Sequence, residues 1–189
     1  RSLLTVLGRL GGRPVAIVAS QPMRHAGCLD VHSSRKGAHF VNTAAAMGLP
    51  ILTLVDVPGY LPGRAQEAGG ILPHGAELLT AYGNARTPRI CLVVRKSYGG
   101  ASVLSYAADL RLALPTAQIA PMGAEAAAHV VLGAPKEGED VEARAAFVAE
   151  WTEEHCSVWT AAEQGYLDRV IEPAQVRQCL HAALSRLQA

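Results

Sequence analysis

The chain of 189 residues is 50% apolar and 17% charged, and its net charge is +1 with histidine neutral. This length fits one domain, or one and a half, with a sizeable buried core, and the composition excludes a disordered chain. The near-neutral charge gives no electrostatic footprint for nucleic acid, no apolar run reaches the ~18 residues of a membrane-spanning helix, and no secretory signal pattern opens the sequence. The low charged fraction indicates that a partner covers part of the surface.

Neither the cysteines nor the histidines have the spacing of a metal site. No cysteine belongs to a C-x-x-C pair, and no Cys/His set has zinc-finger spacing, so we predict free thiols and a cytoplasmic protein. His25, His32 and His39 are seven residues apart, but Gly27 and Asp30 interrupt the helix that would place them on one face, so no metal ligands are assigned. The cysteines are Cys28, Cys91, Cys156 and Cys179.

Short apolar runs alternate with amphipathic stretches along the chain. The predicted strands are 14–19, 51–55, 89–94, 110–114 and 168–171. The predicted helices are one that Ser33 or Ser34 caps and 48–50 stops, one over 71–82, a short one opened by Gly99, one over 124–132, one or two within 142–162, and one after Pro173. The helix over 71–82 is predicted to bury Ile71, Gly75, Leu78, Leu79 and Tyr82. The alternation predicts parallel strands with helical crossovers and hence an α/β fold, with a loop rich in Gly and Pro over 56–70 and an exposed loop or small insertion over 134–142.

Two glycine-rich turns carry the strongest functional signal. The first is DVPGYLPG over 56–63, continuing to Gly69 and Gly70, and the second is KSYGGA over 96–101, directly after a predicted strand. A strand followed by two glycines and a helix leaves backbone N–H groups unpaired, and glycine lets a ligand approach them. The positive end of the helix favours an anion, so the second turn suits an oxyanion hole. The alternative interpretation is a tight turn without a ligand.

Several side chains near these turns have two interpretations. Asp56 ends a predicted strand, where catalytic carboxylates often lie, but Asp-x-Pro-Gly is also an ordinary turn in which aspartate caps its own backbone, and we favour the turn. Tyr60 and Tyr98 either line a pocket or pack against the fold. Arg95 and Lys96 either meet an anionic substrate or face solvent. The sequence has no P-loop, dinucleotide-binding, nucleophile-elbow or HExxH motif.

Several longer motifs resemble the carboxyltransferase (beta) subunits of biotin-dependent acyl-CoA carboxylases, of which the propionyl-CoA and acetyl-CoA carboxylases are the nearest. The motifs follow the order of that family and span nearly the whole chain. Because they match the C-terminal of the family's two domains, 1–189 is interpreted as a single carboxyltransferase C-terminal-type domain, with 142–189 as its helical assembly segment. The matching segments are 12–15 (GRPV), 21–23 (QPM), 33–36 (SSRK), 51–63 (ILTLVDVPGYLPG), 66–76 (QEAGGILPHGA), 95–101 (RKSYGGA), 115–124 (PTAQIAPMGA) and 162–173 (AEQGYLDRVIEP).

The resemblance implies a crotonase-like α/β fold (the ClpP/crotonase fold), in which stacked ββα turns form a superhelix with outer helices. It also implies an active site at a dimer interface, where this domain holds carboxybiotin and an N-terminal-type carboxyltransferase domain holds the acyl-CoA substrate. In the family, backbone amides hold the biotin oxyanion left after release of the carboxylate. That anion removes the acyl α-proton, and the enolate attacks the carboxyl carbon. Such chemistry needs no Ser, His or Asp nucleophile.

Site residues and partners also follow from the resemblance. Gly100 and Ala101 match the backbone donors and are the predicted catalytic residues. The implied partners are the N-terminal-type carboxyltransferase domain or subunit, a biotin carboxyl carrier protein and a biotin carboxylase subunit, in a homo- or hetero-oligomer without nucleic acid or membrane. The predicted contacts of the biotin cofactor are Gly99, Tyr98, Gly69, Gly70 and Tyr60.

The chain departs from the family pattern next to the predicted site. Ser102 and Val103 stand where the family has an aromatic residue and an aspartate associated with acyl-chain choice. The segment from Ala101 to Leu114 is shorter than in the family, and Leu114 stands where the family has a tryptophan. Pro73 and Glu77 replace residues that are usually basic. Two alternatives therefore stay open: a biotin-independent acyl-thioester decarboxylase or other crotonase-like enzyme, and a non-catalytic assembly domain.

Overall fold

A seven-stranded sheet forms the centre of the molecule in the computed structural model, which describes residues 2–135 and 141–188. The strands are β1 (Leu3–Leu10), β2 (Arg13–Ser20), β3 (Ile51–Val57), β4 (Arg89–Tyr98), β5 (Leu110–Ala113), β6 (Gln118–Ala120) and β7 (Arg169–Val170). Their spatial order is β1-β2-β3-β4-β5-β7, and β6 pairs with β4 outside this row. The β1–β2 pair is antiparallel and the other named pairs are parallel, so the predicted α/β class is confirmed.

Eight α-helices lie within the described residues and connect these strands. They are α1 (Val31–Ala46), α2 (Arg64–Ala68), α3 (Ile71–Asn84), α4 (Val103–Tyr106), α5 (Ala124–Val131), α6 (Val141–His155), α7 (Val158–Glu163) and α8 (Val176–Leu187). None of them is long and apolar enough to cross a membrane. The predicted polar loop over 134–142 contains 136–140, which lie outside the described residues.

The sheet carries a separate apolar core on each face, because neighbouring residues of a strand point to opposite sides. On one face, Ile51 and Val55 of β3 and Val93 of β4 belong to the core formed with α1 and α3. On the other face, Leu52 and Leu92 pack in the core formed with α8. Helices pack on both faces of the sheet. The strands β3 and β4 end at the same edge of the sheet, and both glycine-rich turns begin at that edge.

The hairpin at the beginning of the chain is only half predicted, because sequence analysis assigns a strand to 14–19 alone. Gly11 and Gly12 form its two-residue turn with φ of 59° and 83°, the geometry for which Gly-Gly is favoured. β1 lies at the edge of the sheet, where Leu3 is buried while Leu7, on the same face of the strand, is 58% exposed, and the intervening Leu4 is 41% exposed. The apolar residues of β1 therefore do not alternate between core and surface, and the pattern gives no clear strand signal.

The predicted N-cap of the first long helix is wrong. Asp30, and not Ser33 or Ser34, caps α1: its carboxylate accepts a hydrogen bond from the Ser33 amide at 2.6 Å, and the Ser33 hydroxyl accepts one from the Asp30 amide at 2.8 Å. This reciprocal pair is a capping box, in which both residues saturate amides that the helix leaves unpaired. The predicted stop at 48–50 is confirmed, since Gly48 has a φ of 68° just after the helix.

Other element predictions are right in kind and wrong in detail. On α3, Leu79 is 53% exposed and Ala81 is buried in its place, because the buried face is rotated slightly from the predicted one. The loop predicted over 56–70 contains the short helix α2. β4 continues four residues past 94 to Tyr98, where it pairs with the unpredicted strand β6.

The C-terminal segment is an integral part of this fold. Its strand β7 pairs with β5, and the amide of Ile119 in β6 donates to the Cys156 carbonyl at 3.0 Å. The Asp168 carboxylate accepts hydrogen bonds from the amide and guanidinium of Arg111. Because these contacts bind the segment to the sheet, it shapes the fold whatever its role in assembly, which stays a prediction.

Candidate functional site

The second glycine-rich turn joins the end of β4 to α4 through a 3-10 turn over Gly99–Ser102. Gly99 has a φ of 59°, and a Cβ there would lie 3.2 Å from the carbonyl oxygen of Pro121, so only glycine fits comfortably. Gly100 follows with its backbone exposed to solvent. Amides at the start of a helical turn have no partner earlier in that turn, so the sequence-predicted geometry of strand, glycines and helix is present.

A cavity of about 390 Å³ opens beside this turn and is called the guest cavity below. Gly99 and Gly100 line it from one side, and the loop after β6 and the helix α7 line it from the other. Ala101 is 0% exposed and is not part of the lining. The structure therefore brings Gly100, but not Ala101, to open space, and the predicted role of Ala101 as a second donor stays a prediction.

Three side chains of the guest cavity were missed by sequence analysis: Tyr106, His155 and Tyr166. The rings of Tyr106 and Tyr166 lie 5.8 Å apart between centroids, and the His155 ring packs on Trp151 with centroids 4.3 Å apart. Burial raises the pKa of the Tyr106 phenol above its ordinary value. No local pattern could have identified this group, because its members come from α4, the end of α6 and the loop after α7.

Tyr60 packs against the turn rather than into the guest cavity. Its ring lies 3.5 Å from the position that a Cβ on Gly100 would take, and its hydroxyl lies 2.8 Å from the corresponding position on Gly75 of α3. The loop that carries Tyr60 is held by Leu29, whose amide donates to the Gly59 carbonyl at 3.0 Å. Partial burial raises the pKa of the Tyr60 phenol. Tyr60 thus connects α3 to the backbone of Gly100.

Tyr98 is predicted to contact biotin, but its side chain packs inside the fold. It is 7% exposed, its hydroxyl donates to the side-chain carbonyl of Gln118, and its ring would collide with a Cβ on Gly123. It forms a small apolar cluster with Ala120 and Cys156. Burial raises its pKa to about 12.

Gly69 and Gly70 shape the entrance of α3 and do not line the guest cavity. Gly69 ends α2, and Gly70 is the N-cap of α3 with a φ of 81°. Their connection to Gly100 is indirect, through α3 and Tyr60. A direct contact of either glycine with a biotin group stays a prediction.

Asp56 neither caps its own turn nor presents a free carboxylate. Both carboxylate oxygens accept hydrogen bonds from Nε of Arg95, at 3.1 and 3.0 Å, and the Lys96 amide donates to one of them at 3.3 Å. The favoured turn-cap interpretation is therefore wrong, because the carboxylate links the end of β3 to β4. The pair holds the two strand ends together where the glycine-rich segments begin.

A buried serine pair fixes the short helix behind Gly100. The Ser105 hydroxyl donates to the Ser102 carbonyl at 2.8 Å, and it lies 2.9 Å from the hydroxyl of Ser97 on β4. Ser97 and Ser105 are almost completely buried. Because a buried hydroxyl without a partner is costly, this pair holds α4 in one position relative to β4.

The histidines do not form a metal site in the structure. His32 and His39 lie on α1, whereas His25 lies in a separate 3-10 turn, His25–Gly27, before the helix. Over 2–135 and 141–188, no group of three or more His, Cys, Asp or Glu side chains could hold a metal ion.

The fold and the turn define a domain of the crotonase-like α/β class, as predicted. The chain belongs to the carboxyl transferase family: the family model described as "Carboxyl transferase domain" matches residues 1–188. It spans little more than a third of the length of the curated relatives described below, and it matches their C-terminal half.

Relatives with two different activities are similar to the chain. The propionyl-CoA carboxylase beta chain of Saccharopolyspora erythraea is 46% identical, over 98% of this chain and 36% of the relative. The methylmalonyl-CoA decarboxylase subunit alpha of Propionigenium modestum is 42% identical, over 100% of this chain and 38% of the relative. A crystal structure of transcarboxylase 12S, a hexamer with methylmalonyl-coenzyme A and methylmalonic acid bound, has a TM-score of 0.89 at 43% identity, over 98% of this chain and 36% of that one.

Proposed function

We propose that the chain is the carboxybiotin-binding domain of a biotin-dependent acyl-CoA carboxyltransferase. The observation that carries the proposal is the exposed Gly100 backbone, at the start of a helical turn and beside a cavity of about 390 Å³. Family membership and the similarity to a propionyl-CoA carboxylase beta chain support the same reaction class.

The residues present fit a biotin group. A cavity of this volume lies in the lower part of the range for small-molecule sites. The backbone of Gly100 offers a hydrogen-bond donor for an oxygen that becomes negatively charged. Carboxybiotin, when bound, supplies the carboxyl group and the base that takes the acyl α-proton. No side-chain nucleophile is required of this chain.

The chain's own contribution is to place and stabilise charge. The amides of Gly100 and Ala101 are the proposed donors that would hold the ureido oxygen of carboxybiotin when it is bound. The Ser97–Ser105 pair and Tyr60 keep the turn in one position, so that the donors need no reorganisation during the reaction. This arrangement lowers the barrier because the donors interact more strongly with the transition state than with the neutral ground state.

The acyl-CoA substrate is proposed to bind to an N-terminal-type carboxyltransferase domain or subunit. This chain corresponds to 36% of the propionyl-CoA carboxylase beta chain, so the remaining part of such a protein would provide that half. A biotin carboxyl carrier protein and a biotin carboxylase subunit complete the proposed cycle. The relatives' names favour propionyl-CoA or methylmalonyl-CoA as the acyl class. An oligomer is proposed because the similar transcarboxylase 12S is a hexamer.

The second candidate function is acyl-thioester decarboxylation. It is favoured by the 42% identity to a methylmalonyl-CoA decarboxylase subunit and by Val103 in place of the family's aspartate. Decarboxylation also forms an enolate, so the same backbone donors would serve.

We place the protein in the cytoplasm because its four cysteines are unpaired, which suits a reducing compartment.

The test compares two substitutions at one position, in the chain combined with its acyl-binding partner domain. Gly100→Pro removes the amide hydrogen, whereas Gly100→Ala keeps it, and a Cβ there makes only ordinary contact with Tyr60. We expect Gly100→Pro to lower the rate of label exchange between carboxybiotin and acyl-CoA about 10²–10³-fold, the usual effect of one lost oxyanion donor. Gly100→Ala should keep most of the rate.

Each result has a defined meaning. Exchange that survives Gly100→Pro in a folded protein would contradict the role of Gly100. Release of carbon dioxide from methylmalonyl-CoA by a biotin-free preparation, without exchange, would support the decarboxylase. If a properly assembled complex catalyses neither reaction, the remaining interpretation is a non-catalytic assembly domain.

A further inference from the structure

Two tyrosines from distant parts of the chain meet beside Gly100. Tyr106 ends α4 and Tyr166 follows α7, yet both line the guest cavity and their ring planes are inclined at 54°. They are 44% and 46% exposed, and neither belongs to the core clusters of the described residues. Two half-open rings that the core does not use offer rigid apolar contact area to a guest.

The charge of the guest cavity limits what it can hold. Its lining contains no Asp, Glu, Lys or Arg within the described chain, and its polar side chains besides the tyrosines are His155, Thr160 and Gln164. The phosphates of coenzyme A bind best to cationic side chains or long helix N-termini, and neither is available here. An uncharged ring with one strong hydrogen-bond acceptor fits this lining better.

We propose that Tyr106 and Tyr166 form the contact surface for the bicyclic ring of biotin beside Gly100, and so determine how tightly the biotin group binds. This inference rests on the proposed function and adds its specificity-determining residues. Tyr106 and Tyr166 would contact the apolar part of the ring, and the backbone of Gly100 would offer a donor to its ureido oxygen. Neither phenol gains or loses a proton in the reaction, so the pair affects binding and not the chemical step.

The C-terminal part of the chain acquires a second role from this inference. Tyr166 lies in the segment predicted to mediate assembly, and Tyr106 lies in the segment that is shorter than in the family pattern. In this structure the end of α4 lies next to the loop after α7, and the two rings meet there. A change in either segment would alter the guest cavity without touching Gly100.

The experiment uses free biotin as the probe and separates binding from turnover. The dissociation constant for biotin is measured by saturation-transfer NMR on the chain, and KM for biotin and kcat are measured in the assembled transfer assay. The variants are Tyr106→Ala, Tyr166→Ala, Tyr106→Leu and Tyr166→Phe. Trp159→Ala is the matched control, because Trp159 is an aromatic residue of α7 that is 58% exposed and does not line the cavity.

We expect each alanine variant to raise the dissociation constant and KM for biotin about five- to tenfold, with kcat changed less than twofold, from the loss of one aromatic contact. Trp159→Ala should behave like the wild type, Tyr166→Phe should lose less affinity than Tyr166→Ala because it keeps the aromatic ring, and Tyr106→Leu should fall between the wild type and Tyr106→Ala. Thermal unfolding of each variant identifies any that fail to fold, and Tyr106→Leu and Tyr166→Phe then carry the comparison with Trp159→Ala.

Three outcomes would overturn the inference. Unchanged biotin binding in folded Tyr106→Ala and Tyr166→Ala, with transfer intact in the wild type, makes this inference wrong and leaves the proposed function standing. A loss of kcat at constant KM would assign the tyrosines to another step. A wild type that neither binds biotin nor transfers a carboxyl group would make both proposals wrong.

Discussion

The two glycine-rich segments look alike in sequence, but Gly100 of the second serves a different purpose from the glycines of the first. In the first, Gly59, Gly63 and Gly70 have φ of 149°, 129° and 81°, conformations that L side chains rarely adopt. In the second, Gly100 has no such φ, and a Cβ there would meet only the Tyr60 ring at 3.5 Å. The fold requires the first set and does not require Gly100. A glycine that the fold can spare, with its backbone open beside a cavity, is therefore a better indicator of a site than the density of glycines.

The largest effect on stability is expected where the first segment touches α3. In Gly75→Ala, the new Cβ would lie 2.8 Å from the Tyr60 hydroxyl, so the Tyr60 ring must move. We expect the free energy of unfolding to fall by about 1–3 kcal/mol, the usual effect of overpacking. The transfer rate should fall as well, because Tyr60 no longer supports Gly100. Chemical denaturation and the transfer assay measure the two effects.

The matched control lies on the same helix. A Cβ on Gly83 would meet nothing within 4 Å, so Gly83→Ala should leave both quantities unchanged or slightly raise stability. Equal losses in the two variants would contradict the specific contact with Tyr60.

A smaller effect would separate the two segments directly. Gly63 has a φ of 129° and open space around it, so Gly63→Ala tests conformation alone. We expect Gly63→Ala to lower the free energy of unfolding by about 1–2 kcal/mol, because its φ of 129° and ψ of 153° lie in an extended region with positive φ that only glycine adopts readily. Gly100→Ala should cost less than about 0.5 kcal/mol. If urea midpoints shift equally in both variants, the distinction between required and spare glycines is wrong.

The smallest expected effect is on stability at alkaline pH. It allows Tyr98 of the second segment to be compared with Tyr60 of the first. Burial raises the pKa of Tyr98 to about 12 in the folded state, above the value of about 10 of an unfolded tyrosine. A raised pKa means that the stabilising contribution is complete below pH 10 and is lost as the pH rises towards 12. We expect Tyr98→Phe to flatten the loss of stability in this range, measured by denaturation at each pH.

Spectrophotometric titration of the phenols supplies the check on this prediction. The absorbance change near pH 12 should disappear in Tyr98→Phe and persist in Tyr60→Phe, whereas the fully buried Tyr82, whose pKa burial raises still further, titrates later in both variants. An unaltered titration curve in Tyr98→Phe would show that another phenol accounts for the absorbance change near pH 12.

The scaffold could be predicted from sequence because its signals are local. Apolar runs such as 51–55 and the Gly48 stop depend on neighbours in the chain, and both were confirmed. The capping residue of α1 was missed because both aspartate and serine are common N-cap residues. Only the structure shows that the Asp30 carboxylate accepts the hydrogen bond from the Ser33 amide. β6 was missed because three residues give too short a pattern.

The site was predictable only as far as the backbone. The motif around Gly99 and Gly100 identified the turn, because a strand followed by two glycines is readable along the chain. The pairing of Asp56 with Arg95, 39 residues later, depends on two strands lying side by side. Tyr106 and Tyr166 are 60 residues apart, and no periodicity links them. Side-chain partners across such distances become visible only after the sheet is assembled.

The backbone hydrogen bond between Ile119 and Cys156 affects how this protein folds during synthesis on the ribosome. The strands β1 to β6 and the turn around Gly100 emerge well before 155–166, and translation adds only about 5–20 residues per second. For several seconds the nascent chain holds the turn before Val158 and Ala161, which share an apolar core with Ile119, have been synthesised. Nascent chains at that stage would be the ones most in need of chaperone protection, and synonymous changes that slow this stretch of the message should lower the yield of folded protein.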